Sequence, residues 1–449
     1  MQFKDKDVIV VGLAKSGVSA IKALYDNGAV ITITDMKSEA QLEEILNDIR
    51  PYYRKAILGM TPTETKTFDI AVLSPGVPVD LPFINEMRNA GTVIIGEIEL
   101  AYQLCKGKFV GITGTNGKTT TTALTGEIFS TAEKHHYVVG NIGLPAVSRA
   151  PLAAEDTFMI TEISSFQLET IIDFRARVAA ILNITPDHLN RHKTMENYTD
   201  AKARIFENQR PEDALVLNFD DLLTRQLASR AKGRVYTFSR KEVKGQSAYL
   251  LDGKLMLAID GVVEPLCLVD EMKIFGSHNE ENALAAALIS RLAGVETEAI
   301  IKALKTFAGV EHRIEYTETV DGRLFYNDSK GTNPDSTICA VRAMNRPTVL
   351  IAGGYDKDSD FEPIFDAFEG KIRHLVLLGA TREKFADAAK NKGYTQVTLV
   401  STMEEAVHMA VKCSLPGDAI LLSPACASWD MYDNFEQRGA HFKAIVREL

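Results

Sequence analysis

The chain has 449 residues, a length that predicts several domains, since single hydrophobic cores stop growing well below it. Apolar residues make up 45% and charged residues 24%, a composition that excludes an intrinsically disordered protein. The net charge of -10 argues against nucleic acid or an anionic membrane as the main partner. A soluble, acidic, multidomain protein is therefore expected.

The N-terminal apolar run, Val8 to Leu13, is far shorter than a membrane span and lacks a signal-peptide pattern. We therefore expect a cytoplasmic protein without membrane insertion. The five cysteines form no CxxC pair, and they are Cys105, Cys267, Cys339, Cys413 and Cys426. An odd number without paired spacing indicates reduced thiols rather than a disulfide framework or a zinc site.

The first segment reads as strand, glycine turn, amphipathic helix and second strand, and it closes at Asp35. Gly12, Ala14 and Gly17 keep the G-x-G/A-x-x-G spacing of dinucleotide folds, which predicts a nucleotide-like anion at the helix start. Tight packing of the first turn is the alternative reading of these glycines. A further predicted strand ends just before Ser74, which should face the same crevice. The first domain is predicted to span 1–106.

The second segment opens with GITGTNGKTTT, which follows an apolar strand (108–113) and precedes a helix. Gly114 and Gly117 let backbone N–H groups fold around phosphate oxygens, Lys118 supplies a charge, and the Thr119 hydroxyl suits a magnesium shell. Ile112 stands where the standard P-loop has glycine, so this loop is a variant. A plain glycine turn is the alternative.

Further strands are predicted at 158–161, 178–184 and 214–218. Glu162 follows the first of these strands and the Asp187-His188 pair follows the second. Ligands collect beyond the carboxyl ends of parallel strands, so this edge should bind Mg-ATP. A solvated loop acid and a turn histidine are the alternatives. Ser277 and Glu280 have capping-box spacing before an alanine-rich helix, whose Asn279 and Asn282 share a face near its start.

The third segment repeats strand and helix from about residue 310, with strands predicted at 349–352, 375–378 and 419–422. Polar runs follow these strands and the strand before Asn327. We expect a second parallel α/β sheet whose crevice holds a small carboxylate, with surface loops as the alternative. Cys426 has no paired histidine in the sequence, so it is interpreted as a small buried thiol.

The runs GTNGKTTT, EISSFQLE, TPDHL, FGSHNEENALAA, EHR, NDSKGTNP and LLSPACASWDMYDNFEQRG together resemble the ATP-dependent Mur ligases of peptidoglycan synthesis. The resemblance covers essentially the whole chain in matching order. It implies three α/β domains: a Rossmann-like UDP-binding domain (1–106), a P-loop ATPase-like domain with a mostly parallel sheet (107–309) and a Rossmann-like amino-acid domain (310–449). The activity implied is addition of D-glutamate to UDP-N-acetylmuramoyl-L-alanine through an acyl phosphate, with ATP as co-substrate.

The resemblance also implies site residues. Lys118, His188 and Lys202 match catalytic positions. ATP-binding positions are Gly114, Thr115, Asn116, Gly117, Lys118, Thr119, Thr120, Asn279, Asn282, Arg313 and Asp328. UDP-sugar positions are Lys15, Ser16, Asp35, Ser74, Asn141, Ser164 and Gln167. D-glutamate positions are Lys330, Thr332, Lys357, Ser428 and Phe435. A pair of Mg²⁺ ions is implied at Thr119, Glu162, His188 and Lys202, the last as a carbamate formed with CO₂.

The resemblance further implies a monomer with no nucleic-acid partner, acting in cell-wall biogenesis and so in cell shape and division. Two positions depart from relatives: Met36 replaces a hydroxyl residue, and Tyr355 replaces an acid whose contact Asp356 is expected to supply. Rival interpretations are an L-alanine-adding ligase, a folylpolyglutamate synthase, a nicotinamide-dependent dehydrogenase based on Gly12 to Gly17, and a nucleotide-binding switch without chemistry.

Overall fold

The computed structural model describes residues 1–62, 68–141, 143–242, 245 and 247–449. The described chain divides into two compact units. One contains Met1–Met272 and Glu281–Thr306, and the other contains Lys273–Glu280 and Phe307–Leu449. The first unit holds two β-sheets and the second holds one. The predicted domain limits at 106/107 and 309/310 stay predictions.

The first sheet is fully parallel and has the order β3-β2-β1-β4-β5. Its strands are β1 (Asp7–Val11), β2 (Val30–Asp35), β3 (Lys55–Leu58), β4 (Ile70–Leu73) and β5 (Val93–Gly96). Its helices are α1 (Lys15–Asp26), α2 (Glu43–Ile49), α3 (Pro82–Asn89) and α4 (Glu97–Leu104). The chain reverses its direction across the sheet between β1 and β4, which is where such sheets bind ligands.

The second sheet has nine strands in the order β14-β13-β12-β11-β10-β9-β6-β8-β7. Its strands are β6 (Lys108–Thr113), β7 (His136–Gly140), β8 (Phe158–Glu162), β9 (Ala176–Ile181), β10 (Ala214–Asn218), β11 (Arg234–Ser239), β12 (Ala248–Leu251), β13 (Lys254–Ile259) and β14 (Val262–Leu268). Its helices are α5 (Lys118–Thr131), α6 (Ser165–Leu168), α7 (Leu189–His192), α8 (Met195–Ala203), α9 (Leu222–Gln226), α10 (Ser277–Leu292) and α11 (Thr297–Thr306). Only the pairs β12–β13 and β13–β14 are antiparallel among the described strands of this sheet.

The third sheet has the order β15-β16-β20-β17-β18-β19. Its strands are β15 (Glu315–Val320), β16 (Arg323–Asn327), β17 (Thr348–Ala352), β18 (Ile372–Leu377), β19 (Val397–Leu399) and β20 (Ala419–Leu422). Its helices are α12 (Pro334–Ala343), α13 (Glu362–Asp366), α14 (Arg382–Asn391), α15 (Met403–Cys413) and α16 (Phe435–Arg447). Alternate residues of β17 enter two separate apolar clusters, so both faces of this sheet are covered by helices.

Three Asp-Gly pairs form the hairpin turns of the second and third sheets. Asp252-Gly253, Asp260-Gly261 and Asp321-Gly322 each join two antiparallel strands. Both residues of each pair have positive φ angles, between 48° and 84°, as a two-residue hairpin turn requires. The predicted cap at Ser277 differs, because α10 already begins at that residue.

The predicted strands at 108–113, 214–218 and 419–422 have the observed bounds, and the others differ by a few residues at an end. The predicted run 178–184 shows the largest shift, since β9 spans Ala176–Ile181 and its last predicted residues form a loop. No helix in the described part of the chain has both the length and the apolar run needed to cross a bilayer. The five cysteines are free thiols, as predicted.

Candidate nucleotide and ligase site

The loop predicted to bind phosphate lies between β6 and α5, as the sequence predicts. Gly117 immediately precedes α5 with a φ angle of 82°, and Gly114 has a φ angle of 157°. A Cβ atom on Gly117 would lie 2.4 Å from Oδ1 of Asn282. The loop therefore needs glycine at 117 for its backbone angle and for the close approach of α10.

Replacement of Gly117 with alanine should destabilise the fold by about 1–3 kcal/mol and weaken nucleotide binding. The added Cβ disfavours the left-handed backbone at this position and clashes with the Asn282 side chain. Gly294→Ala is the matched control. Gly294 has a φ angle of 83° but nothing within 4 Å of an added Cβ. Urea unfolding and nucleotide titration of both variants measure the difference. Equal destabilisation, with unchanged nucleotide binding in both variants, would contradict the role of the contact.

The loop is held by residues after β9 that the sequence analysis did not select. The Asn183 side chain accepts from the Asn116 N–H (2.7 Å) and donates to the Asn116 carbonyl (3.1 Å). The Thr115 hydroxyl donates to the Thr185 carbonyl and lies 3.2 Å from the Tyr198 hydroxyl. Asn183 is the next-to-last residue of the predicted strand run 178–184 and lies two residues before the start of TPDHL, and that position was the available signal.

Lys118 is the first residue of α5 and is half-buried. Its ammonium group donates to the carbonyls of Gly114 (2.9 Å) and Thr115 (2.8 Å). Thr119 and Thr120 follow in the first turn and are buried. The loop thus gathers backbone N–H groups, hydroxyls and one cation at a helix N-terminus, which is a strong arrangement for phosphate.

Glu162 ends β8 beside β6 and is 1% exposed. Its Oε1 accepts from the Asn141 side chain at 2.8 Å, while its Oε2 is buried without a hydrogen-bond partner in the described chain. An ionised oxygen in that position is costly unless a cation binds there. The residue therefore fits a hard divalent cation such as Mg²⁺.

His188 lies at the start of α7 with a φ angle of 53°, after the loop that follows β9. Its side chain is about half exposed, its Nε2 is 3.5 Å from Asp187, and its ring packs edge-on against Phe166. The imidazole is thus presented to solvent beside a carboxylate. The histidine is oriented by its neighbours rather than lying in an unrestrained turn.

Lys202 lies in α8 and is only 1% exposed. Its Nζ donates to the Gly114 carbonyl at 2.8 Å and lies 4.5 Å from the centre of the Tyr198 ring. Burial lowers its pKa well below the usual value, and the Lys118 charge lowers it further, while Asp187 and Glu162 oppose this effect. The structure therefore brings Lys118, Glu162 and Lys202 into one electrostatic cluster at the loop.

At the crevice of the first sheet, Asp35 is bound to its own turn. Its carboxylate accepts from the Leu13 N–H at 2.8 Å and the Lys37 N–H at 2.9 Å. The Ser74 hydroxyl donates to the Gly12 carbonyl, which joins the ends of β1 and β4. Lys15 and Ser16 begin α1; Lys15 is exposed and Ser16 is half-buried. All four predicted residues thus lie at one edge.

A small pocket connects this edge to the second sheet, and its lining includes Ser74, Glu97, Phe166, Gln167 and Thr170. Ser164 caps α6, and its hydroxyl and backbone N–H both donate to the Gln167 side chain. The predicted UDP-sugar residues Ser74 and Gln167 therefore line the same pocket, and Ser164 is hydrogen-bonded to Gln167. Glu97 was not predicted.

Glu97 is the first residue of α4, and its side chain contacts the backbone of the segment that follows β7. Its Oε1 accepts from the Val147 N–H at 2.7 Å, and its Oε2 is buried without a hydrogen-bond partner in the described chain. Burial raises the pKa of this carboxyl from 4.5 to about 7, although the backbone N–H groups of Val147 and Ala146 oppose the shift.

This raised pKa predicts a pH-dependent stability. The native state binds more protons than the unfolded state between about pH 4.5 and pH 7, so Glu97 should destabilise the wild type progressively over that range. Glu97→Gln does not titrate. Relative to the wild type, its free energy of unfolding should rise by about 3 kcal/mol across this range and level off above it. Urea unfolding over this pH range measures the difference, and a pH-independent difference would contradict the expectation.

In the second unit, the ends of β16, β20 and β17 are neighbours in the sheet, and the three predicted polar loops follow them. Lys330 lies 5.3 Å from the Phe435 ring centre, and Lys357 lies 5.5 Å from that of Trp429. The Lys357 ammonium is also 3.5 Å from the Thr332 carbonyl. The predicted amino-acid residues, with the buried Ser428, therefore come from one edge of this sheet.

Asp356 forms an ion pair with Lys384 at 3.0 Å, so this carboxylate already has a cationic partner.

Cys426 is 2% exposed, and burial raises the pKa of its thiol to about 11. Such a thiol is protonated at neutral pH and is not a nucleophile, as predicted.

Asp328 and Arg313 also lie in the second unit. Asp328 accepts from the Ser423 hydroxyl (2.7 Å), and burial raises the pKa of its carboxyl to about 6 while the Arg313 charge opposes the shift. Nε of Arg313 is buried without a partner in the described residues. Asn279 donates to the Phe275 carbonyl in this unit, whereas Asn282 accepts from the Thr121 hydroxyl in the first unit.

The folds and the phosphate loop together define a nucleotide-binding α/β protein with a carboxylate positioned for a divalent cation. Three family models match consecutive parts of the chain: Mur ligase MurD-like N-terminal domain at 6–96, Mur ligase middle domain at 112–290, and Mur ligase glutamate ligase domain at 312–426.

Curated relatives match over the full length. UDP-N-acetylmuramoylalanine--D-glutamate ligase of Alkaliphilus oremlandii is 47% identical over 452 residues, and that of Clostridioides difficile is 48% identical over 451 residues; each match covers 100% of both chains. The chain therefore belongs to the Mur ligase family, and the predicted resemblance is confirmed.

Solved structures agree with this fold. The UDP-N-acetylmuramate-alanine ligase MurC from Thermotoga maritima has a TM-score of 0.62 at 18% identity, covering 99% of each chain. MurF from Acinetobacter baumannii has a TM-score of 0.63 at 17% identity, covering 97% of this chain and 93% of that one. These likenesses confirm the predicted three-domain α/β fold with mostly parallel sheets.

Proposed function

We propose that the protein is an ATP-dependent amide ligase that adds D-glutamate to UDP-N-acetylmuramoyl-L-alanine in peptidoglycan synthesis. The observation that carries this proposal is the full-length identity of 47–48% to enzymes bearing that name. Because its substrates are nucleotides and a free amino acid, we place the reaction in the cytoplasm. We also propose that a monomer contains the complete site.

The chemistry explains the residues. A carboxylate is a poor electrophile, and ATP converts it into an acyl phosphate whose good leaving group is phosphate. The D-glutamate amine then attacks the carbonyl carbon, giving a tetrahedral intermediate that expels phosphate. Two anions must meet in the first step, so Lys118 and the N-terminus of α5 neutralise phosphate charge.

Divalent cations have protein ligands of the right chemistry here. Glu162, with its unpartnered buried oxygen, Thr119 and His188 would hold Mg²⁺, together with Lys202 as a carbamate. Bound Mg²⁺ would supply positive charge that neutralises phosphate oxygens and stabilises the negative charge that develops on them. We propose a pair of such ions, as the resemblance implies.

Carbamylation of Lys202 is supported by its environment. Only a neutral amine can attack CO₂, and the buried Nζ has a lowered pKa that favours this form. The neutral amine and CO₂ form a carbamate with release of a proton, so an anion replaces the amine near Lys118. An unmodified, charged Lys202 would instead repel a metal at Glu162.

The substrate-binding residues are assigned by position. Lys15, Ser16, Asp35 and Ser74 would bind the uridine diphosphate end, and Asn141, Ser164 and Gln167 the muramoyl arm. Lys330, Thr332, Lys357, Ser428 and Phe435 would bind D-glutamate. Asn279 and Asn282 would contact adenine, and Arg313 and Asp328 would bring the amino-acid domain to ATP. Domains over 1–106, 107–309 and 310–449 correspond to these roles.

A product-resolved assay tests the proposal. The protein is incubated with UDP-N-acetylmuramoyl-L-alanine, ATP and magnesium, with D-glutamate, L-glutamate or L-alanine in parallel. We expect one phosphate released per amide formed, with D-glutamate alone. Use of L-alanine with UDP-N-acetylmuramate, or of a folate, would support the rival ligases, and NAD(H) binding without amide formation would support the dehydrogenase.

A further inference from the structure

Arg438 is a buried cation that joins two loops at the same edge of the third sheet. It lies in the first turn of α16 and is 3% exposed. Its Nε donates to the Ser329 hydroxyl at 3.0 Å, and its Nη2 donates to the Ser329 carbonyl at 2.8 Å. Its other bonds go to the carbonyls of Ala427 (Nη1, 3.1 Å) and Cys426 (Nη2, 3.1 Å).

These two loops carry the amino-acid residues assigned above. Ser329 immediately precedes Lys330, and Ala427 immediately precedes Ser428. Ser329 also donates its hydroxyl to the Phe435 carbonyl at 2.8 Å, so the start of α16 is fixed to the same point. One guanidinium group thus sets the spacing of Lys330, Ser428 and Phe435.

The planar fork explains why arginine occupies this position. Its donors point in fixed directions and reach two separate loops at once, which the ammonium of lysine cannot reproduce. The hydrogen bonds of this guanidinium all go to neutral oxygens, with no carboxylate acceptor among the described residues. Burial lowers its pKa to about 10, so the group remains charged at neutral pH.

We propose that Arg438 is a positioning residue for the amino-acid substrate: it clamps the loops at 328–333 and 423–428 in register and adds positive charge that favours a dicarboxylate. This inference rests on the proposed function, because it takes D-glutamate as the ligand of these loops. Arg438 acts through Lys330 and Ser428 rather than by touching the substrate.

The test compares Arg438→Lys and Arg438→Met with a control on the opposite edge of the same sheet. Arg373, near the start of β18, forms an ion pair with Asp418 at 2.7 Å, so Arg373→Met removes a partly buried arginine far along the strands from these loops. Steady-state kinetics for D-glutamate, ATP and the nucleotide sugar are measured beside thermal unfolding. Ser329→Ala, which removes one acceptor, is a milder second variant.

We expect the KM for D-glutamate to rise roughly ten- to a hundredfold in both Arg438 variants, as loss of hydrogen bonds to a charged group predicts. Values for ATP and the nucleotide sugar should stay near wild type, as should all values in Arg373→Met. If Arg438→Lys raises the KM for D-glutamate as much as Arg438→Met does, the fixed donor directions of the guanidinium contribute more to binding than its positive charge. In an additional variant, Arg438→Ala, the shortened side chain leaves room for free guanidinium, which at sub-denaturing concentration should partly restore the KM for D-glutamate.

An unchanged KM for D-glutamate in folded variants, or equal losses for all three substrates, overturns the proposal. If the Arg438 variants do not fold, the KM for D-glutamate of Ser329→Ala, compared with its KM values for ATP and the nucleotide sugar, tests the proposal instead. Failure of the proposed function is a separate outcome, because the wild type would then form no amide with D-glutamate.

Discussion

Alanine in place of Lys118 is expected to abolish acyl-phosphate formation, with a loss of at least about 10²–10³-fold in kcat. The ammonium group is the only side-chain cation within the loop sequence GTNGKTT, and removing it leaves phosphate charge without a neutralising partner. The fold should survive, because the lost hydrogen bonds to Gly114 and Thr115 are local and cost about 1–3 kcal/mol.

Single-turnover phosphate release measures the step, and thermal unfolding checks the fold. Lys22→Ala is a suitable control, since Lys22 forms an exposed ion pair with Asp48 at 2.8 Å in the same unit. Retained single-turnover activation in Lys118→Ala would contradict the assignment of the loop.

Alanine in place of Lys202 should reduce activity by roughly 10²–10³-fold, since it removes an anion that would support the metal. The free energy of unfolding of Lys202→Ala should change less than its activity, because the wild-type amine lies in an unfavourable buried position at 1% exposure. Short-chain carboxylates such as formate should restore part of the activity by entering the vacated volume as a substitute anion.

The control for this rescue is Lys118→Ala, in which a cation is missing and added carboxylate should not help. Activity is measured as amide formation at increasing formate concentration in both variants. Full activity in Lys202→Ala without formate, or equal rescue in both variants, would contradict the carbamate.

Several site features followed from local sequence. The glycines at 114 and 117, the strand before them and the helix after them have short-range causes, so their placement was predictable. The same is true of the Asp-Gly hairpins, where both residues must adopt positive φ angles. The positions of Glu162 and of the polar loops in the third sheet were predictable because strand ends share an edge in parallel sheets.

Other features depend on long-range packing, which one sequence does not reveal. Lys202 is read as an exposed helix residue without the family resemblance, yet its Nζ bonds a carbonyl 88 residues away. Asn183, Glu97 and Arg438 likewise gain their roles from backbone groups on other elements.

The strand-turn-helix order and the position of the glycine-lysine loop follow from local sequence, and the family follows from the resemblance of its motifs. Short-range backbone geometry and the spacing of glycine, lysine and apolar residues are sufficient for these. The tertiary structure alone decided which charges are desolvated and which backbone groups they bind. Burial raises the pKa of Glu97 and lowers that of Lys202, and this burial exists only after distant segments have packed together.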